Sequence, residues 1–150
     1  VAVRIDHIGS TSIVGMAAKP ILDIQISVAG FEPFDRILKP MESLGYGWRN
    51  DNPELTKRYF REPPGTRRTH IHVREAGSWS EQMALLFRDY LRLHPDDCAA
   101  YVELKNGLAV QYRDDRVAYT DAKDPFVWQI LSKADKWSQM VGWRPGPSDV

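Results

Sequence analysis

The chain begins with alternating residues and ends with helical periodicity. Over 2–8, Val3 and Ile5 alternate with Arg4 and Asp6, which predicts a first strand. The pattern is cleaner over 21–28. There Leu22, Ile24, Ile26 and Val28 fall on one face, and Asp23, Gln25 and Ser27 on the other. Such a strand buries its apolar face and turns its polar face to a cleft, so Leu22, Ile24 and Ile26 are expected inside. Phe34, Ile37, Leu38, Met41 and Leu44 then recur at helical spacing up to Gly45, and Pro40 should kink or shorten that helix. Residues 46–50, 57–62 and 68–75 read as strands, joined by Asp51-Asn52-Pro53 and Pro63-Pro64-Gly65 turns. Three helices follow. The first starts at Ser78, with Glu81 as its capping-box partner, and runs to His94-Pro95. The second starts at Asp96 or Asp97, and the third at Asp124 with Pro125 in its first turn. Strands first and helices afterwards predict an α+β domain, with a mixed or mostly antiparallel sheet and helices packed on one side.

The 150 residues suit one domain, assigned to 1–143, with a Pro/Gly-rich tail at 144–150 expected to fray. Twenty basic and twenty acidic residues cancel, so overall charge points neither to nucleic acid nor to an anionic membrane. No apolar run approaches the roughly 20 residues of a bilayer span. The single cysteine, Cys98, allows no intrachain disulfide and suits a reducing cytoplasm. The five tryptophans are expected to pack in the core.

Charge is nevertheless uneven. Segment 49–74 carries seven basic residues (Arg49, Lys57, Arg58, Arg61, Arg67, Arg68 and Arg74) against three acids, a patch that suits phosphate or simply guards a strand edge. The chemistry-bearing stretch precedes it. Gly9 and Ser10 end the first strand, and Thr11 follows. Glycine permits close backbone approach to a ligand, and hydroxyls with turn amides suit phosphate oxygens. Lys19 offers a counter-charge. Asp23 stands mid-strand, where a carboxylate needs a partner, a metal or a cleft. His70 and His72 occupy alternate positions of one strand and share a face. With Asp23 they form a two-histidine, one-carboxylate set that suits Mn²⁺ or Zn²⁺ better than Mg²⁺. A pair of hydrogen-bonded histidines on a polar sheet face is the alternative.

The stretch from His7 to Asp23, His-Ile-Gly-Ser-Thr-Ser-Ile-Val-Gly-Met-Ala-Ala-Lys-Pro-Ile-Leu-Asp, resembles the signature of the GrpB family at His7, Gly9, Ser10, Thr11, Gly15, Lys19, Pro20 and Asp23. The resemblance continues through His70-Ile-His72, Phe87–Arg92, Tyr101, Leu104-Lys105 and Lys123, and so covers nearly the whole chain. It implies a bacterial protein of nucleotidyltransferase fold, in the polymerase-beta superfamily. It also implies metal-assisted nucleotidyl transfer to a small acceptor, with a nucleotide or other phosphorylated small molecule as ligand. Gly9, Ser10 and Thr11 would hold the phosphates, Lys19 and Arg68 the developing charge, Asp23 a divalent metal (Mg, Mn or Zn), and His72 the acceptor.

Three departures qualify that pattern. Val14 replaces the family's proline, and Gln25 stands where the superfamily places a second metal-binding acid. The chain also opens directly on a strand, so the family's N-terminal helix is expected to be missing. Gln25 keeps a second reading open, a non-catalytic binding or interaction module linked to coenzyme A metabolism, since some family members are fused to dephospho-coenzyme A kinase. A metal-binding hydrolase using Asp23, His70 and His72 is a third. Arg88, Asp89 and Lys105 either tie helices to the sheet or close the cleft. Cys98 carries no motif and is expected to be inert.

Overall fold

A computed structural model describes residues 1–16 and 20–150. Its elements are β1 (Ala2–Ile8), a 3₁₀ turn (Ser10–Ser12), β2 (Leu22–Val28), α1 (Asp35–Ser43), β3 (Gly47–Trp48), β4 (Lys57–Arg61), β5 (Thr69–Glu75), α2 (Trp79–Leu93), α3 (Pro95–Gln111) and α4 (Arg116–Val141). The strands form one mixed sheet in the order β1-β2-β5-β4-β3. The β2–β5 pair is parallel, and the other pairs are antiparallel.

Period-two alternation splits the sheet into two unlike faces. On one, Val28, Phe60, Ile71 and Val73 pack with Ile37 and Met41 of α1, and Ile24 and Ile26 are half-buried against them. On the other face lie Asp6, Asp23, Gln25, Ser27, Tyr59, His70, His72 and Arg74. Cross-strand register sets Asp23 beside His70, Gln25 beside Asp6 and His72, and His72 beside Tyr59. The helices α2–α4 stay together, with α2 over the polar face, but α1 covers the apolar face, so the helices flank the sheet rather than keeping to one side of it. The core of α2–α4 joins Ile13 and Met16 to Leu86, Tyr90, Leu91, Tyr101, Ile130 and Ala134. Helix α2 packs on β1 and β5, while α3 and α4 pack chiefly on α2 and on each other.

Several expectations need correction. Gln25 and Ser27 are fully buried, whereas Leu22, Ile24 and Ile26 are only half-buried. The reason is Glu81, which seals the polar face from α2: its carboxylate accepts from Ser27 Oγ at 2.6 Å, and its carbonyl accepts from Gln25 Nε2 at 3.2 Å. Ser78 does cap α2, accepting from Glu81 N at 3.4 Å, but the reciprocal bond to Glu81 comes from Gly77 N at 3.0 Å. Helix α1 runs through Pro40 to Ser43. Helix α4 begins at Arg116 with Asp115 as its cap, so Pro125 lies inside it. The tail does not fray. Asp149 N donates to Ile5 O, and His7 N donates to Asp149 Oδ2, so the tail hydrogen-bonds to β1. Trp48, Trp79 and Trp128 are exposed rather than core, and Trp79 stacks on Trp128 at 6.0 Å. Among the described residues no helix is long and apolar enough to cross a membrane.

Candidate functional site

The site starts at the turn that ends β1. Gly9 has φ 72° and ψ −172°, a backbone state that side chains exclude. A Cβ there would also lie 2.8 Å from Asp23 Oδ2, so glycine is required by space as well as by angle. The turn closes on itself through Ser12 Oγ to Gly9 O at 2.5 Å. Thr11 Oγ1 bonds His7 Nε2 at 2.8 Å and donates to Ile21 O at 3.3 Å. That hydroxyl is thus bonded within the loop. Ser10 is different: its Oγ accepts from Lys105 Nζ of α3 at 2.6 Å. Lys105 also lies 5.1 Å from the Tyr101 ring.

Asp23 is the hub. Its Oδ1 lies 3.1 Å from His72 Nε2 and 3.4 Å from His70 Nδ1. The opposite nitrogen of His72, Nδ1, meets Lys57 Nζ at 3.2 Å. An ammonium only donates, so His72 Nδ1 is an acceptor and His72 Nε2–H donates to Asp23. Lys57 pairs in turn with Glu54 at 3.1 Å. The Tyr59 ring packs near both imidazoles, at 5.7 Å from His70 and 5.3 Å from His72. Burial lowers both histidine pKa values, with Asp23 opposing the shift. Asp23 keeps 28% of its side-chain exposure, so the hub is open to solvent. From α4, burial lowers the pKa of Lys123, and the charge of Asp23 works against that shift.

A divalent ion needs several lone pairs converging on one point. Here Asp23 Oδ1 already accepts from His72 Nε2 and lies 3.4 Å from His70 Nδ1, and both nitrogens of His72 are engaged. Gln25 is sealed, with its Oε1 accepting from Arg74 at 2.7 Å. Among the described residues no group of three or more His, Cys, Asp or Glu side chains fits an ion. The expected Asp23, His70 and His72 do meet, with Asp23 accepting from His72 Nε2 and lying beside His70 Nδ1.

Of the remaining expectations, Arg68 is exposed, yet its charge reaches His70. Lys19 lies outside the described residues. The basic segment is largely paired: Arg61 binds Glu62 at 3.0 Å, and Arg58 covers the Phe31 ring at 4.0 Å. Arg88 and Asp89 split from Lys105. Arg88 is buried, donating to His7 O at 3.1 Å and to Asp89 at 2.9 Å, so it ties α2 to β1. Cys98 is buried, and burial raises its pKa, in keeping with inertness. Two surface cavities of about 510 Å³ lie elsewhere, one between Val14 and the α2–α3 corner and one beside Leu55 and Trp79. The sequence reading missed Lys57 and Tyr59 as site residues. Their alternation along β4 placed them on one face, but nothing local marked it as the face of Asp23.

The comparisons with known proteins agree with this architecture. The GrpB protein family model matches residues 1–133. The chain is 44% identical over 134 residues to the UPF0157 protein PA4798 of Pseudomonas aeruginosa, covering 87% of this chain and 54% of that one. It is 38% identical over 137 residues to the UPF0157 protein YqkA of Bacillus subtilis, covering 91% and 40%. The chain thus spans about half the length of these relatives or less. A segment of the Dephospho-CoA kinase of Mycobacterium leprae is 30% identical over 171 residues, 95% of this chain and 42% of that protein. The crystal structure of the conserved protein GrpB from Enterococcus faecalis superposes with a TM-score of 0.81 at 33% identity, covering 92% of this chain and 83% of that one. The chain belongs to the GrpB family.

Proposed function

We propose that this domain binds a nucleotide or another phosphorylated small molecule in a nucleotidyltransferase-like site between β2, the Gly9–Ser10 turn and α3. The observation that carries this reading is Lys105 Nζ on Ser10 Oγ at 2.6 Å, beside a glycine that touches Asp23. A cation, a hydroxyl and a closely approached backbone are the parts that hold a phosphate oxygen. Lys57 and Lys123 add positive charge near Asp23. Nucleotidyl transfer to a hydroxyl acceptor is the reaction this arrangement favours, with the lysines stabilising charge on the phosphate. The donor set does not fit a resident divalent ion, so no step is assigned to one.

Titration calorimetry with ATP, inorganic tripolyphosphate and dephospho-coenzyme A tests the proposal, first in EDTA and then with Mg²⁺. Binding in EDTA is expected, and Lys105→Ala should weaken it by about tenfold or more, the loss of a charge-assisted hydrogen bond. A folded protein that takes up none of the three ligands would overturn the reading. Pyrophosphate release from ATP separates an enzyme from a binder.

A second reading has its own support. The relatives named Dephospho-CoA kinase carry a segment similar to this chain over nearly its full length. A non-catalytic module serving coenzyme A chemistry would prefer dephospho-coenzyme A over ATP and release no pyrophosphate.

A further inference from the structure

We infer that His70 Nε2 is the atom with which this site accepts a hydroxyl group of its ligand, so that the ligand is a phosphorylated molecule carrying a free hydroxyl, as the ribose of a nucleotide does. The inference rests on the phosphate-binding reading above and adds a second anchor to it.

Four ring nitrogens decide the assignment. His72 has none to spare: Lys57 holds Nδ1 at 3.2 Å and Asp23 holds Nε2 at 3.1 Å. The near atom of His70 is Nδ1, 3.4 Å from Asp23 Oδ1. A carboxylate oxygen only accepts, so the proton of a neutral His70 belongs on Nδ1. That leaves Nε2 as a bare lone pair. The atom is buried and has no hydrogen-bond partner. The large majority of buried side-chain polar atoms in folded proteins are satisfied, so an orphan in a polar site calls for an explanation. Among the described residues the other such atom is Arg74 Nε, on the same strand face.

Position supports the assignment. His70 pairs with Asp23 across β2–β5, at the end of β2 away from the Glu81 seal. Gly9 approaches Asp23 through Oδ2, and His70 approaches it through Oδ1. Asp23 thus has the glycine turn at one oxygen and the His70 ring at the other, and Ser10 with Lys105 follows directly on that turn. A ligand carrying both a phosphate and a hydroxyl matches those two anchors. Arg61 and Arg68 place positive charge around the ring, which opposes its protonation and draws an anion toward it.

The test is ¹⁵N NMR of uniformly labelled protein, read at the histidine side chains and at the Ser10 amide. The chain has four histidines, so the spectrum is simple, and His70→Gln and His72→Gln assign it. Long-range nitrogen–proton couplings read the tautomers. His72 should be protonated on Nε2 and His70 on Nδ1. Titration with ATP should move the His70 Nε2 signal, whereas inorganic tripolyphosphate, which has no ribose, should leave it in place while still perturbing the Ser10 amide. His70→Phe keeps a ring beside Tyr59 but removes the acceptor. It should lower ATP affinity by about tenfold and leave tripolyphosphate affinity unchanged, while His70→Gln restores part of the loss. A His70 protonated on Nε2 would overturn the inference. So would ATP and tripolyphosphate binding alike with Nε2 unmoved, and in that case the phosphate reading would survive alone. If neither compound binds, both fall.

Discussion

Gly9→Ala is the substitution on which the geometry makes its firmest demand. Two costs add. The φ of 72° with ψ of −172° lies in a region that is essentially glycine-only, worth about 1–3 kcal/mol for any other residue. The new Cβ would also stand 2.8 Å from Asp23 Oδ2, 3.0 Å from Asp23 Cβ and 3.2 Å from Cγ. Rotating the carboxylate relieves the first contact but not the second, because Cβ is fixed by β2. Either the strand or the turn must move, and overpacking of that kind costs about 1–3 kcal/mol. The total is about 3 kcal/mol or more, roughly 6–12 °C in Tm for a domain of this size. Gly65→Ala is the control: its φ is 81°, but nothing lies within 4 Å of the added Cβ. It should cost only about 1–2 kcal/mol, the strain alone. Urea unfolding of the two variants and the wild type reads the difference. Equal losses would show that Gly9 does not press on Asp23, and the site as described here would be wrong.

Further expectations follow from the same contacts. Glu81→Ala strips the acceptor from buried Ser27 and from Gly77 N, and should destabilise by about 2–4 kcal/mol in urea unfolding, against about 0.5 kcal/mol for a surface substitution. Gln25→Asp should not create metal affinity, because the position is sealed and faces Arg74; calorimetric titration with Mn²⁺ should show no added binding, and a new tight site would refute this. Stability should fall as pH drops from about 6.5 toward 5, since the unfolded histidines take up protons near 6.5 while the folded His70 and His72 resist them. His72→Gln should flatten that slope in urea midpoints measured across the window, and an unchanged slope would show that His72 is not held neutral.

Much of the fold was legible because alternation and helical periodicity are written locally. The bounds of β1, β2, β5 and α2 lie within a residue or two of those read from the pattern. Depth was not legible. Alternation assigns Asp23, Gln25 and Ser27 to one face, but burial along that face depends on which helix covers it. Glu81 reads locally as a capping-box residue, and only the packed structure shows it buried and serving Ser27. The covering helix divides one polar strand face into a sealed half and an open half, with Gln25 in the first and Asp23 in the second. The start of α4 was missed for a related reason: Asp124-Pro125 is a strong local start signal, yet the helix begins at Asp115, whose side chain accepts from Ala118 N at 3.0 Å. The meeting of His70, His72 and Asp23 depends on β2 and β5 lying parallel and adjacent, a long-range pairing that no local pattern encodes.

Charge carries the argument one step further. The chain is neutral overall, yet Lys57 of β4, Arg74 of β5 and Lys123 of α4 come from three different elements toward a face whose anions include Asp23 and Glu54. Burial disfavours the charged form of Arg74 and Lys123 more strongly than the nearby acids favour it. A folded protein does not ordinarily gather half-buried cations without enough anions to match them, because each desolvated charge costs stability. The carboxylate that could balance them best, Glu81, instead holds Ser27, Gly77 and Gln82. An anion from outside would lower that cost. On the proposed phosphate reading, an anion bound at Ser10 would offset these desolvated cations and leave Asp23 beside its two imidazoles, whereas a bound cation would add to them.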